Sequence, residues 1–193
     1  MQLTPETQLE LTELARRYGA PATVDAVIDD GFDDPIRRTD RFGEVCMVIR
    51  RPNGKLLLAI KTFYPRGAYR LPTGGIEHGE RILDALVREA HEETGLQLVV
   101  DRFLARISYR NSVGAPPLFH TFAFLLRETG GTLGAIDTSE QIEDWREVEQ
   151  AELPAVADFL EHLASSGTRS IGGSWSAWGR FRAVAHRAAY EAL

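Results

Sequence analysis

With 193 residues, 44% of them hydrophobic and 26% charged, the chain has the make-up of an ordinary globular protein with one core and room for small additions. A net charge of −6 argues against broad binding of nucleic acids or anionic membranes, and it makes any polyphosphate ligand depend on a metal and on local basic residues. The one cysteine, Cys46, cannot close an internal disulfide, no run approaches membrane-spanning length, and MQLTPETQLE lacks the basic-then-apolar order of a secretory signal, so a cytoplasmic protein is expected.

Thr4, Pro5 and Glu6 announce a first helix, with cap, proline and early acid in order. Leu11, Leu14, Ala15 and Tyr18 give it an apolar stripe, and Tyr18-Gly19-Ala20-Pro21 ends it. A second apolar segment, Ala22 to Ile28, precedes the turn-forming run Asp29 to Pro35. This extension is open to three readings: a dimerisation arm, a cover for a pocket, or plain packing on the core. Glu44 to Arg50 and Lys55 to Lys61 then read as strands joined by Arg51-Pro52-Asn53-Gly54, with Asn-Gly the hairpin signal. Cys46 lies inside the first of these and reads as a buried strand residue. Beyond Phe63-Tyr64-Pro65-Arg66-Gly67, the short extended segment Ala68 to Leu71 leads to a glycine loop. Lys61, Arg66 and Arg70 are thereby carried toward that loop, where they can meet phosphate oxygens.

The chemistry is concentrated in LPTGGIEHGERILDALVREAHEETGL, Leu71 to Leu96. The adjacent glycines of Pro72-Thr73-Gly74-Gly75 allow φ > 0 and close approach of the backbone to a ligand. From there Ile82, Leu83, Leu86, Val87 and Ala90 recur at helical spacing as one buried stripe, and the helix is expected to stop near Thr94 with Gly95 in the left-handed position. Glu89, Glu92 and Glu93 project from adjacent turns, a costly placement for like charges unless a cation sits among them. Carboxylates with a neighbouring carbonyl, and no histidine-cysteine set, make a hard-oxygen site suited to Mg²⁺ or Mn²⁺. Arg88 is placed to pair with Glu80 or Glu92 and hold the acids.

Gln97 to Arg110 and Leu118 to Arg127 alternate as two strands across the turn 111–117. A loop from Gly130 to Ser139 leads to Glu140-Gln141-Ile142-Glu143-Asp144-Trp145, and Leu153-Pro154 opens a helix with Val156, Phe159, Leu160 and Leu163 on its apolar face. Ser165 to Ser174 reads as a small-residue linker. The tail from Trp175 to Arg187 reads as an amphipathic helix docked on the N-terminal extension or on a second subunit, ahead of the alternative that its aromatics and arginines hold a nucleotide.

The central stretch resembles the signature of the Nudix hydrolase family: a glycine, five residues, a glutamate, seven residues, then Arg-Glu-apolar-any-Glu-Glu-any-Gly-apolar. Gly74, Glu80, Arg88, Glu89, Ala90, Glu92, Glu93, Gly95 and Leu96 fill every fixed position. The resemblance implies an α/β fold, a Nudix-type α/β/α sandwich with a mixed sheet over 40–164. It leaves an N-terminal helical extension over 1–39 and a linker with a C-terminal helix over 165–193. It also implies metal-dependent hydrolysis of a nucleoside diphosphate linked to another moiety, with Mg²⁺ or Mn²⁺ on Glu89, Glu93, Glu92 and the carbonyl of Gly74. Arg88 acts in the catalytic set and Glu80 supports it. Thr73 stands where many relatives have glycine, which weakens the carry-over to the loop carbonyl.

Water must attack a phosphorus surrounded by negative oxygens, so charge has to be neutralised and a proton accepted. Candidate bases are Glu92 and the acids Glu140, Glu143 and Asp144 of the loop 130–144, as in several relatives. Pro116 and Pro117 fall too late, and Tyr109 too early, for the marks of ADP-ribose or dinucleoside polyphosphate hydrolases. Two other readings are a non-catalytic nucleotide-binding module and a Nudix-type diphosphate isomerase, which usually needs a catalytic cysteine; Cys46 has the wrong surroundings. The expected partners are a nucleotide-type small molecule and a second copy of the chain in a homodimer, with no stable nucleic-acid partner and no membrane.

Overall fold

The computed structural model describes residues 2–28, 35–36, 39–165, 167–168 and 170–193. Helix α1 (Pro5–Tyr18) starts as the sequence announces: the Thr4 hydroxyl accepts the Thr7 N–H at 3.2 Å, and Pro5 needs no partner for an N–H. The apolar segment after it is strand β1 (Ala22–Val27), and most of the acidic run that follows it lies outside the described residues. Strands β2 (Arg41–Arg50), β3 (Leu56–Lys61) and β4 (Thr73–Glu77) precede helix α2 (Ile82–Thr94), and the long strands β5 (Leu96–Arg110) and β6 (Phe119–Gly131) follow it. Strand β7 (Ile142–Val148), helix α3 (Leu153–Glu161), the two-residue strands β8 (Gly167–Thr168) and β9 (Gly173–Ser174), and helix α4 (Trp175–Ala192) complete the order.

Seven strands form one mixed sheet in the order β1-β5-β6-β2-β3-β7, with β4 also on β2. β1 runs parallel to β5 and β6 parallel to β2; the other pairs are antiparallel. β2 is central and covered on both faces, which explains why its sequence is a continuous apolar run and not an alternation. Val45, Met47 and Ile49 join the core under α1 and α2, while Cys46 and Val48 join the core under α3 and α4. The result is a helix–sheet–helix sandwich.

The two end segments take part in these layers. Leu3, Leu11 and Leu14 of the N-terminal segment enter the first core. The C-terminal helix was expected on the N-terminal extension or on another subunit. It lies on α3 and on the sheet of its own chain, and it meets the N-terminal extension at Val24, Ala26 and Ile28. Trp175, Trp178, Phe181, Ala185 and Ala189 are its buried face. A Cβ at Gly179 would come 1.9 Å from the Leu160 carbonyl oxygen, so glycine is what lets α4 cross α3 this closely.

Two apolar stripes are rotated from their expected positions. On α2, Val87 is 60% exposed and Ala85 takes its place inside, because Glu89 and Glu93 lie on the inner flank of the helix. On α3, Phe159 is half exposed and Ala157 is buried with Leu153 and Leu160. β6 also runs on to Gly131, so the loop expected from Gly130 begins at Thr132.

Candidate active site

The glycine loop expected at 72–75 is mostly strand. Gly74 and Gly75 pair with Val45 and Glu44 of β2, and neither has a positive φ, so the expected left-handed backbone is not why glycine stands there. The reason is space. A Cβ at Gly74 would lie 2.1 Å from the carboxyl carbon of buried Glu89, which Arg88 holds in place, while one at Gly75 would meet only the movable guanidinium end of Arg41, a weaker demand for glycine. The strand is thus the wall on which the Glu89 carboxylate rests. Gly95 does behave as the sequence predicts: it closes α2 at φ 66° and its N–H reaches the His91 carbonyl.

Three carboxylates converge beside that wall. Glu89 and Glu93 come from successive turns of α2, Glu140 comes from the 3-10 turn Thr138–Glu140, and one oxygen of each lies within 4.8 Å of the others. Gln141, just after Glu140, is the one non-glycine residue with positive φ (55°) among the described residues, a strained turn of the kind that collects at functional sites. Glu93 is 1% exposed and neither of its oxygens has a hydrogen-bond partner. Burial pushes its carboxyl up to about 7 against the pull of Arg70 and Lys61. Burial also raises Glu89, opposed by Arg88. For Glu140 burial acts upward too, but the hydrogen bond and charge of Lys61 outweigh it and hold the group below the usual carboxylate range. Lys61 Nζ lies 2.7 Å from Glu140 Oε2 and 3.6 Å from Glu93 Oε1. Orphaned buried carboxylate oxygens, an all-oxygen donor set and an excess of negative charge fit a hard divalent cation.

Arg88 holds the outer side of the cluster. Its guanidinium donates to both Glu80 oxygens at 2.8 and 2.9 Å, to Glu89 at 2.8 Å, to Glu92 at 3.2 Å and to the Gly75 carbonyl at 3.0 Å. Glu80 is held below the usual range, chiefly by the Arg88 hydrogen bond, and accepts the Glu77 N–H besides. Glu92 is drawn onto Arg88 at the rim, with its side chain 37% exposed, and stands apart from the three converging acids.

A cleft of about 400 Å³ opens over the acids, lined by Lys61, Arg70, Arg182, Tyr64 and Trp178 among others. A larger hollow of about 780 Å³ between α1 and residues 78–81 holds none of the converging acids, so the smaller cleft is the candidate site. Arg70 is buried, donating to the Tyr64 hydroxyl at 3.0 Å and the Leu71 carbonyl at 2.7 Å. Arg66 is exposed and away from the cleft lining, and Glu143 is exposed on β7; neither joins the acids. Asp144 accepts the Tyr69 hydroxyl at 2.5 Å instead.

Glu44, His186 and Glu10 escape the sequence reading, and Arg182 enters it only through the alternative that the arginines of the tail hold a nucleotide; with Trp178 it does line the cleft. Arg182 Nη1 of α4 donates to both oxygens of buried Glu44 at 2.8 Å and to the Thr73 hydroxyl at 3.2 Å. His186, one turn on, accepts the Leu71 N–H through Nε2 at 3.0 Å and donates from Nδ1 to the Arg182 carbonyl; burial lowers it to about 4, so it is neutral. From the other end, Glu10 accepts the N–H groups of Ile82 and Leu83 at 3.0 and 3.1 Å, capping α2 where Arg81 makes no side-chain cap.

Residues 40–166 match the family model described as the NUDIX domain. Nudix hydrolase 2 of Arabidopsis thaliana is 31% identical over 114 residues, 58% of this chain and 40% of that protein. ADP-ribose pyrophosphatase of Methanocaldococcus jannaschii is 33% identical over 98 residues, 50% of this chain and 56% of that one. The chain therefore spans about half the length of these curated relatives. The solution structure of the E. coli ORF135 protein is 26% identical with a TM-score of 0.48, covering 60% of this chain and 79% of its own.

Proposed function

The chain belongs to the Nudix family, and from that premise we propose that it hydrolyses the diphosphate of a nucleoside diphosphate linked to another moiety, with Mg²⁺ or Mn²⁺. The observation that carries this reading is the convergence of Glu89, Glu93 and Glu140 with both Glu93 oxygens unpartnered, under a cleft walled by Lys61, Arg70 and Arg182. Glu89 and Glu93 would hold the ion, which when bound supplies charge neutralisation and a more acidic water.

The chain's own residues do the rest. Arg88, fixed by Glu80, orients the Glu89 carboxylate against Gly74. Arg70 and Lys61 face phosphate oxygens from the cleft wall. Glu140 takes the proton from the attacking water, because it is ionised at neutral pH and stands at the edge of the cluster nearest the loop. Glu92 positions Arg88 and is at most a ligand through water. A cysteine-based isomerase finds no nucleophile here: burial pushes the Cys46 thiol up to about 12.

The decisive experiment incubates purified protein and Mg²⁺ or Mn²⁺ with a panel of nucleoside diphosphate derivatives and measures release of nucleoside monophosphate. Binding without cleavage of any member would move the assignment to a ligand-binding module. A twofold dimer in a cytoplasmic setting belongs to the same proposal. Leu11 and Leu14 of α1 and Trp175, Trp178 and Phe181 of α4 pack on their own chain, whereas Leu9 of α1 and edge strand β1, with Val27 half exposed, offer apolar surface of the N-terminal extension to a second copy. A monomeric mass by light scattering at micromolar concentration would remove it. Among the described residues no helix is long and apolar enough to cross a membrane.

A further inference from the structure

We propose that Lys61 is an exchangeable internal cation: its ammonium holds Glu93 and Glu140 in the metal-free protein and leaves them for the cleft when a divalent ion binds. This rests on the metal reading above and adds a step to it. Lys61 ends β3 just after a shift of register between Ile60 and Lys61, which departs from the regular β3–β7 pairing where its side chain enters the site. Its side chain is mostly buried, and its nitrogen sits 2.7 Å from Glu140 Oε2 and 3.6 Å from Glu93 Oε1.

Three carboxylate oxygens within 4.8 Å of one another repel strongly where two of the side chains are buried, and a cation among them is what lets the cluster keep its shape. The ammonium satisfies that need only in part, since its distance to Glu93 is beyond hydrogen-bond length and both Glu93 oxygens stay unpartnered. A divalent ion bound by the same oxygens would have Lys61 as a like-charged neighbour on a shared ligand. The flexible four-carbon stem then lets the ammonium turn away at small cost. Lys61 lines the cleft that also carries Arg70 and Arg182, so the position it turns to is the one that phosphate oxygens occupy. The exchange couples two events: it clears the space at Glu93, and it frees the Glu140 oxygen that must accept a proton.

The test needs no substrate. Mn²⁺ affinity is measured by electron paramagnetic resonance on wild type, Lys61→Met and Lys61→Arg. Lys61→Met is expected to bind Mn²⁺ at least about fivefold more tightly, because a competing charge is gone, and Lys61→Arg to stay within about twofold of wild type. In wild type alone, acylation of the Lys61 amine, followed by peptide mass spectrometry, should rise severalfold on adding Mn²⁺; this arm decides the matter if Lys61→Met does not fold. Equal or weaker Mn²⁺ binding by Lys61→Met, or amine reactivity unchanged by Mn²⁺, would overturn the exchange and leave the metal site standing. Undetectable Mn²⁺ binding to wild type would overturn the metal reading and the exchange with it.

Discussion

Replacing Glu10 by alanine should destabilise the protein by about 2–3 kcal/mol, although Glu10 lies outside the matched domain and touches no converging acid. The carboxylate is 7% exposed and accepts two N–H groups at the start of α2, at 3.0 and 3.1 Å. An ordinary cap contributes about 1 kcal/mol, and a hydrogen bond to a charged group about 1.5–3. A negative charge at a helix N-terminus adds about 0.3–1. Against these stands the desolvation of the carboxylate, regained on truncation, and the neighbouring hollow between α1 and residues 78–81, through which water can reach the freed N–H groups. The balance is the figure above, with Glu10→Gln losing about half of it because one acceptor oxygen remains. Glu13→Ala is the control: its partner Arg81 is exposed, and about 0.5 kcal/mol or less is expected. Urea unfolding of the metal-free protein, read as a change in midpoint at constant slope, measures all three. A Glu10→Ala variant as stable as Glu13→Ala would refute the capping argument.

Glu93→Gln should lower Mg²⁺-dependent turnover by about a hundredfold or more, while leaving the metal-free protein at least as stable as wild type, since it removes a buried and unpartnered charge; turnover against Mg²⁺ and urea unfolding check the two halves. Stability should also carry two opposed pH dependences that single variants separate. Neutral His186, lowered from 6.5 to about 4, contributes stability that is fully present above 6.5 and lost as pH falls through 4, so His186→Asn should flatten that limb by roughly 3 kcal/mol. Glu93, raised from 4.5 to about 7, contributes stability that is present below 4.5 and lost as pH rises through 7, and Glu93→Gln should flatten that one.

What could be read from the sequence was what a single short segment determines. Glu89 and Glu93 are four apart on one helix, so their convergence follows from helix geometry, and the left-handed Gly95 is equally local. Glu92 shares that helix, yet Arg88 draws it to the rim, and spacing alone does not say which of three acids turns inward. Gly74 and Gly75 are the right residues without the positive φ expected of them, because close approach to Glu89 and Arg41 depends on how β4 meets α2 and β2 in space. Val87 points outward for a related cause: the burial of Glu89 and Glu93 on the inner flank rotates the stripe. Arg182 and His186 did leave a trace. They interrupt, four residues apart, the apolar face formed by Trp178, Phe181, Ala185 and Ala189, and polar groups on a buried stripe call for partners. Which partners could not be known, since Glu44 lies 138 residues away.

The end segments act on the same short stretch of chain, and that has a consequence for how the site fails. β4 and the start of α2 must be placed closely, because Gly74 leaves no slack against Glu89. Glu10 fixes the far end of this stretch, while Arg182 and His186 fix the near end through Thr73 and Leu71. Of these holds, the Arg182–Glu44 pair is the one that cannot be cut on one side without harm: Glu44 is buried, and apart from Arg182 it receives the Thr121 hydroxyl at 2.9 Å. Breaking a buried pair costs about 3–5 kcal/mol, since the remaining charge loses its counter-charge and here keeps only the Thr121 hydroxyl, whereas replacing both members can be close to neutral. Arg182→Met should therefore destabilise by about that amount, and adding Glu44→Gln to it should recover most of the loss, the amide still accepting from Thr121. Turnover in the double variant should stay reduced, because the cleft has lost one of its cations and β4 one of its ties. Equal stability of single and double variants in urea would show that the pair is not the hold it is argued to be.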